Sequence, residues 1–486
     1  MKTSTKIFAL LLATTLAGCG GSSGGEALGG VAPPPPSAGI GRTGVAVGPV
    51  STFGSVVVNG VHFNTDGATF TVNDAAGTQD DLSVGQVVIV RGTIDNNGTS
   101  GTADEVSFDE NVKGPVESID LAGNRLVVLG QTVLVSPETS FDNRFTPASL
   151  EGVSVGQIVE VSGQIDANGN IVATRIEPKP VGTPFEVHGT VSSLDTVNMR
   201  FNINNLVVDY SGATLDNFPG GQISDDDFVE AKGTSPGAGL LNATKVELEL
   251  LLPGANEDDR VEIEGFITRF VSATDFDVAG LPVTTTPNTA FEGGDAADLG
   301  LNIKVEAEGD LDANDVLVAT KIDIRRAKSV RVTANADSVD ADNGTLVILG
   351  ITTTVDALTR MEDKRSAGVD PLTLADVNAG DYLEIRGDEF PAGSGAMLAS
   401  IFEREDADTE AILQGFVVSI GVSSFTIMGV TIDTTTGTVF HDENDNVISA
   451  TDFFDDVAVN SLIKAKGTEV AAKNILASEV EFEVEF

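Results

Sequence analysis

The chain has no tryptophan, two tyrosines, three histidines and a single cysteine in 486 residues. One cysteine excludes an intramolecular disulfide. The histidines (His62, His188 and His441) lie far apart in sequence, so no His-based triad, zinc site or His-activated cysteine nucleophile is expected. Bases are scarce too: 28 Lys and Arg stand against 73 Asp and Glu, a formal net charge of −45. So acidic a body repels nucleic acid and anionic lipid headgroups, and it has no basic or aromatic platform on which bases would stack. Beyond the N-terminus no run of 18 apolar residues occurs, which excludes a further membrane-spanning helix. At 41% apolar residues the chain is nevertheless too hydrophobic for a disordered acidic tail.

What is present begins with a signal peptide. Lys2 and Lys6 precede an apolar run from Ile7 to Leu16, too short to span a bilayer as a mature helix, followed by small residues. Leu16-Ala17-Gly18-Cys19 resembles the lipobox of bacterial lipoproteins, which implies cleavage after residue 18 and lipidation of Cys19. Two or more acyl chains anchor a protein stably where one does not. Gly20 follows the cysteine, and in Gram-negative lipoproteins the absence of Asp there implies the outer membrane. Removing residues 1–18 leaves 26 basic against 73 acidic residues, a charge of −47. Residues 19–43, Gly/Ser-rich with Pro33 to Pro36, read as a flexible tether with a short stiff spacer.

The rest is repetitive. An eight-residue frame, Gly85-Gln-Val-Val-Ile-Val-Arg-Gly92, recurs at 156–163, 226–233, 302–309, 380–387 and 460–467. It starts with Gly, Asp or Asn and always ends with Gly. Apolar residues alternate within it, and Glu160, Glu230, Lys232, Glu306, Glu308, Glu384, Arg386, Lys464 and Lys466 take the other face. Period two with one charged side reads as a half-buried antiparallel strand whose charges face water. Ten to twelve residues on comes Ala-x-x-(Val/Ile/Phe), as in Ala103 and Val106. Upstream two short strands flank Gly60, Gly130, Asn205, Gly280, Gly350 and Gly429, where a left-handed turn is expected. A large apolar residue lies between: Phe70, Phe141, Leu215, Phe291, Met361 or Phe440. Six modules of five or six strands follow, at 44–110, 111–178, 184–251, 259–326, 328–406 and 410–486. The fold class is all-β, a tandem array of small antiparallel barrels (OB-like) or sandwiches. The short linkers predict a rod or compact string rather than freely tumbling beads.

The frame, the Ala103/Val106 signature and their counterparts resemble the tandem modules of domain of unknown function 5666, found in bacterial surface lipoproteins. The resemblance covers most of residues 44–486 and implies no activity or catalytic residue.

Candidate sites are few. The three histidines are read as surface residues. His188 stands where other copies have Lys113, Glu264 and Gln414, a variability expected of a solvent-facing position. Asp166, Asn168 and Asn170, with Glu177 at the twelfth position, imitate the oxygen spacing of a calcium loop. Asp442, Asn444 and Asn446, and Asp310, Asp312 and Asn314, offer similar starts without the terminal Glu. Such residues also belong in hairpin turns on their own account. The leading expectation is a non-enzymatic, lipid-anchored envelope protein, a β-rod for presentation or interaction, with no obligate cofactor. An array binding Ca²⁺ or glycan comes second. Tyr210 and Tyr382 at unequal positions argue against a glycan platform. A hydrolase comes last.

Overall fold

Each copy of the repeat closes on itself. In the fourth module Arg260–Ser272 pairs with Asp275–Val278, which pairs with Leu281–Glu292. That third strand runs parallel to Leu317–Arg325, which pairs with Lys304–Leu311, which returns to Arg260–Ser272. The ring order is therefore 1-2-3-5-4-1, with strands 3 and 5 parallel, the Greek-key barrel of an OB-fold. The same ring closes in the first, second, fifth and sixth modules. In the third module the first strand is split, Phe185–Thr190 and Ser192–Asp195. The structure is a computed structural model that describes residues 42–483, apart from 54, 96–97, 122, 253, 326–328, 366 and 444–445. Cys19, its lipobox and the tether up to residue 41 lie outside the described residues. No helix among those described is long and apolar enough to cross a membrane.

The repeat signatures translate into barrel geometry. The first residue of the frame is left-handed in all six copies, φ 63° to 91°, which is why only Gly, Asp or Asn occurs there. The last residue, always Gly, faces the signature Ala across strands 4 and 5 at a bulge present in every copy. A Cβ there would sit 2.0–2.4 Å from the carbonyl oxygen of the residue before that Ala, so close backbone approach selects glycine. The large apolar residue pairs in parallel with the last residue of Ala-x-x-(Val/Ile/Phe), as Phe141 with Ile176 and Phe440 with Val480. The turn between strands 2 and 3 is left-handed as expected at Gly60, Gly130, Gly280, Gly350 and Gly429. In the third copy the positive φ falls on Asn204 and not on Asn205.

The modules join through their first strands, and not in chain order throughout. Modules 2 and 3 share one sheet, modules 5 and 6 another, and modules 1 and 4 the third. The described residues form one compact unit. Of the rod or compact string that the linkers predict, the compact form is found: a sheet that unites modules 1 and 4, some 200 residues apart, folds the string back on itself. Sequence could not show this, because periodicity reports which residues are apolar and not which module covers them.

Candidate functional site

Four of the charged frame residues do not face water. Glu160, Glu230, Glu306 and Glu384 are each less than a tenth exposed, because those faces meet in seams between barrels. Burying a charge is costly unless it is paired, and the seams are accordingly full of ion pairs. Between modules 2 and 5, Arg360 donates to the Glu138 carbonyl at 2.6 Å and Arg386 to the Pro137 carbonyl at 2.9 Å. Lys364 donates to the Phe141 carbonyl at 2.7 Å, and Arg175 reaches Glu362 at 3.3 Å. Between modules 2 and 4, Lys304 pairs with Glu138 at 2.8 Å.

The densest cluster lies where modules 1, 2 and 3 meet. Modules 2 and 3 pair through their first strands, which places Lys113 opposite Glu186. Beyond it the ladder continues Glu186 to Lys232 to Lys245, and beside it runs a second row, His188 to Glu230 to Glu247. Two pieces of module 1 cover these rows. One is the hairpin of Thr69–Val72 and Ala75–Gly77, whose turn carries Asp74; the other is the linker at Asp109 and Glu110. Lys113 is 2.6 Å from Glu110 and 2.9 Å from Glu186; Lys232 is 2.7 Å from both Asp74 and Glu230.

His188 corrects the sequence reading. Its side chain is about a tenth exposed and stacks on Phe228, with Nδ1 2.6 Å from the Glu110 carbonyl oxygen. Burial, with the nearby Lys232 charge, pulls the imidazole down to about 4, against the pull of that carbonyl and of Glu186. It is therefore neutral at pH 7. The counterpart Lys113 is buried and Glu264 only about a tenth exposed, so variation in residue type marked changing seam partners and not solvent. His62 is exposed, as expected, and His441 half-buried.

The carboxylates around His188 outnumber their cations. Burial, reinforced by neighbouring acids, raises Asp109 to about 6 and Glu230 and Glu249 to about 7. Glu110 moves up in the same way, its neighbours Glu186 and Glu160 adding to burial. Ligand atoms of His188, Glu230 and Glu249 lie within 4.8 Å of one another, as do those of Asp74, Glu230 and Glu247. These are the described residues whose donor sets suit a cation.

The calcium-like pattern does not assemble. Asp166 caps its own hairpin, its Oδ1 accepting from the Asn168 and Asn170 amides at 2.8 Å each and its Oδ2 from the Asn170 side chain at 2.9 Å. Glu177 sits opposite Glu160 at the other end of that hairpin, five residues or ~17 Å from the turn. There it pairs with Arg175 at 2.5 Å and Lys179 at 3.1 Å. Asp312 caps a turn through the Asn314 and Val316 amides, and Asp442 accepts from the Asn446 amide. Asn444 lies outside the described residues. Sequence reasoning missed His188 with Glu230. The available signal was the period-two placement of charges in the first strand, the frame and the final strand of the same module, which puts all of them on one sheet face.

The family model for Domain of unknown function (DUF5666) matches six times, at residues 46–107, 113–177, 188–247, 264–323, 331–400 and 414–481. No curated protein matches the chain. Among solved structures, a Drosophila chain described as "drosophila Unr CSD456" is similar at 15% identity over 45% of this chain and 98% of that one, with a TM-score of 0.13. Six matches in tandem, each spanning a barrel and together most of the length, place the chain in the DUF5666 family.

Proposed function

We propose that this is an exported, non-enzymatic protein, held to a membrane through lipidated Cys19, whose six barrels serve as one rigid body for presentation or interaction at the cell envelope. The observation that carries the reading is where the outward charged rows go. An enzyme or an open binding array keeps such faces free for substrate, whereas here they are spent on neighbouring barrels, as with Arg386 on the Pro137 carbonyl and Lys304 on Glu138. A depression of about 590 Å³ along residues 338–347 has only Asp340 and Asp342 as ionisable lining groups. The Leu16-Ala17-Gly18-Cys19 sequence and the tether supply the attachment, and a charge of −47 after cleavage keeps the body off anionic headgroups.

The test is metabolic labelling of the expressing cell with an alkyne fatty acid, for wild type and Cys19→Ser. The wild-type chain is expected to take up label and enter the detergent phase, and the variant to do neither. An unlabelled wild-type chain refutes the anchor, and turnover of ester or glycoside substrates above background refutes the non-enzymatic reading.

A further inference from the structure

The six barrels carry, at matching places on the outer face of strands 1, 4 and 5, the same set of four positions. In module 2 they hold Lys113, Glu160, Glu177 and Lys179, and the Lys179 ammonium lies 2.9 Å from Glu160 and 3.1 Å from Glu177. In module 4 they hold Glu264, Glu306, Asp323 and Arg325; the guanidinium is 2.9 Å from Asp323 and bonded to Glu306. In module 6 they hold Gln414, Lys464, Glu481 and Glu483; Lys464 is 2.7 Å from Glu481 and bonded to Glu483. Each of these sets supplies its own cation.

Module 3 does not. Its four positions are His188, Glu230, Glu247 and Glu249, three carboxylates and an imidazole. Lys232 enters from the adjacent row and takes one oxygen of Glu230, Oε1, at 2.7 Å. The other oxygen, Oε2, is buried with no hydrogen-bond partner, on a side chain only 2% exposed. The imidazole completes the argument. A carbonyl oxygen can only accept, so the 2.6 Å contact with Glu110 puts the ring proton on Nδ1 and leaves a lone pair on Nε2. That lone pair faces Glu230, with Nε2 3.6 Å from Oε1. Two acceptors aimed at one another, beside an unpartnered carboxylate oxygen, call for a positive centre between them.

We propose that His188, Glu230 and Glu249 bind a divalent transition-metal ion of the zinc class, which takes the place filled by Lys179, Arg325 and Lys464 in modules 2, 4 and 6. Ligand bonds of ~2.0–2.2 Å in a tetrahedral site put donor atoms ~3.3–3.6 Å apart; Nε2 and Glu230 Oε1 are 3.6 Å apart, and the ligand atoms of all three residues lie within 4.8 Å of one another. The imidazole donor favours zinc-like ions over Ca²⁺ and Mg²⁺, which take oxygen ligands. The Glu110 carbonyl is the outer partner that fixes the tautomer of a metal-binding histidine. Because Glu110 belongs to the linker between modules 1 and 2, the ion ties that linker to the sheet of module 3. The inference is independent of lipid attachment.

The test uses full-length protein labelled with ¹⁵N-histidine, which has three imidazoles to observe. One equivalent of Zn²⁺ is expected to shift a single Nε2 resonance, and Co²⁺ to give the visible absorption of a four-coordinate site at one ion per chain. His188→Gln, which copies module 6, is expected to weaken Zn²⁺ binding at least 100-fold with an unchanged far-UV spectrum. Glu230→Lys, which supplies the module 6 cation, is expected to abolish it. Three imidazoles unmoved by Zn²⁺ overturn the proposal without any variant. His188→Gln protein that binds one ion with wild-type affinity overturns it too, and an equal shift with Ca²⁺ overturns the choice of metal.

Discussion

Two kinds of joint hold the same repeat together, and they differ in direction, register and chemistry. In modules 2 and 3, and again in 5 and 6, the first strands run antiparallel, with Val112 opposite Val187 and Val332 opposite Leu413. Both barrels then lie on the same side of the shared sheet, and their cores merge. The other side carries charge, as in Lys113 opposite Glu186. Modules 1 and 4 instead pair in parallel, Val45 with Val261 and Val47 with Ile263. That register sets an outward residue of module 1 beside an inward residue of module 4, so the barrels lie on opposite sides. Val45 thereby enters the core of module 4, with Val47 and Ile89 packed against it. The linkers agree with this division. Six residues, 179–184 and 405–410, join each antiparallel pair, whereas 1 and 4 are brought together from a distance. One fold thus presents either an apolar or a charged outer face, and the residues at a few outward positions decide which joint forms.

The comparison can be broken most forcefully at Val45. Val45→Glu places an unpaired carboxylate in the core of module 4 and is expected to cost more than about 3 kcal/mol in chemical denaturation, uncoupling modules 1 and 4. A loss below about 1 kcal/mol would mean that the parallel joint does not depend on apolar burial. At the charged joint, Lys113→Met leaves Glu110 and Glu186 short of a cation and is expected to cost about 3 kcal/mol. Adding Glu110→Gln should recover most of that loss, since Lys232 still serves Glu186 at 3.4 Å. Failure of the second change to rescue the first would show that Lys113 acts by packing and not by charge.

Next in size are the bulge glycines, which lie within barrels and should ignore the type of joint. Gly233→Ala and Gly309→Ala each drive a Cβ to 2.1–2.2 Å from a backbone oxygen, and each is expected to cost about 1–3 kcal/mol in thermal melts. Unequal costs in the two modules would tie the bulge to its joint.

The joints also predict opposite responses to pH. Burial, with Glu308 nearby, lifts Glu262 in the parallel joint to about 8. The folded state then holds that proton more tightly than the unfolded chain, so stability falls as pH rises from 4.5 towards 8. Glu262→Gln should flatten the denaturation midpoint over that window. In modules 5 and 6 burial opposes ionisation of Glu384, but Arg331 and Arg386 outweigh it and hold the carboxyl well below its usual range. Its contribution is present above the unfolded value of 4.5 and lost as pH falls, and Glu384→Gln should remove that acid-side loss. Parallel changes in both variants would contradict the assignment. The smallest effect expected is at Ala279, held at φ 48° in its hairpin turn: Ala279→Gly should raise stability by about 0.5–1 kcal/mol.

Sequence alone determined the module and its inner face. The inward alternation of Val88 and Val90, the left-handed start at Gly85 or Asn302, the glycine that ends the frame and the Phe141-type anchor all act within about 70 residues, where neighbours in the chain supply the constraints. Even the joints left a trace, because module 1 alone has an apolar residue, Ile89, where the other five frames carry Glu or Lys. Only tertiary structure decided what covers each outer face. Glu230 reads as a solvated strand residue until the hairpin bearing Asp74 closes over it, and His188 reads as surface until the Glu110 carbonyl fixes its proton. A carboxylate's cost and function depend on the dielectric and on partners contributed by other modules, and neither is a property of its own segment.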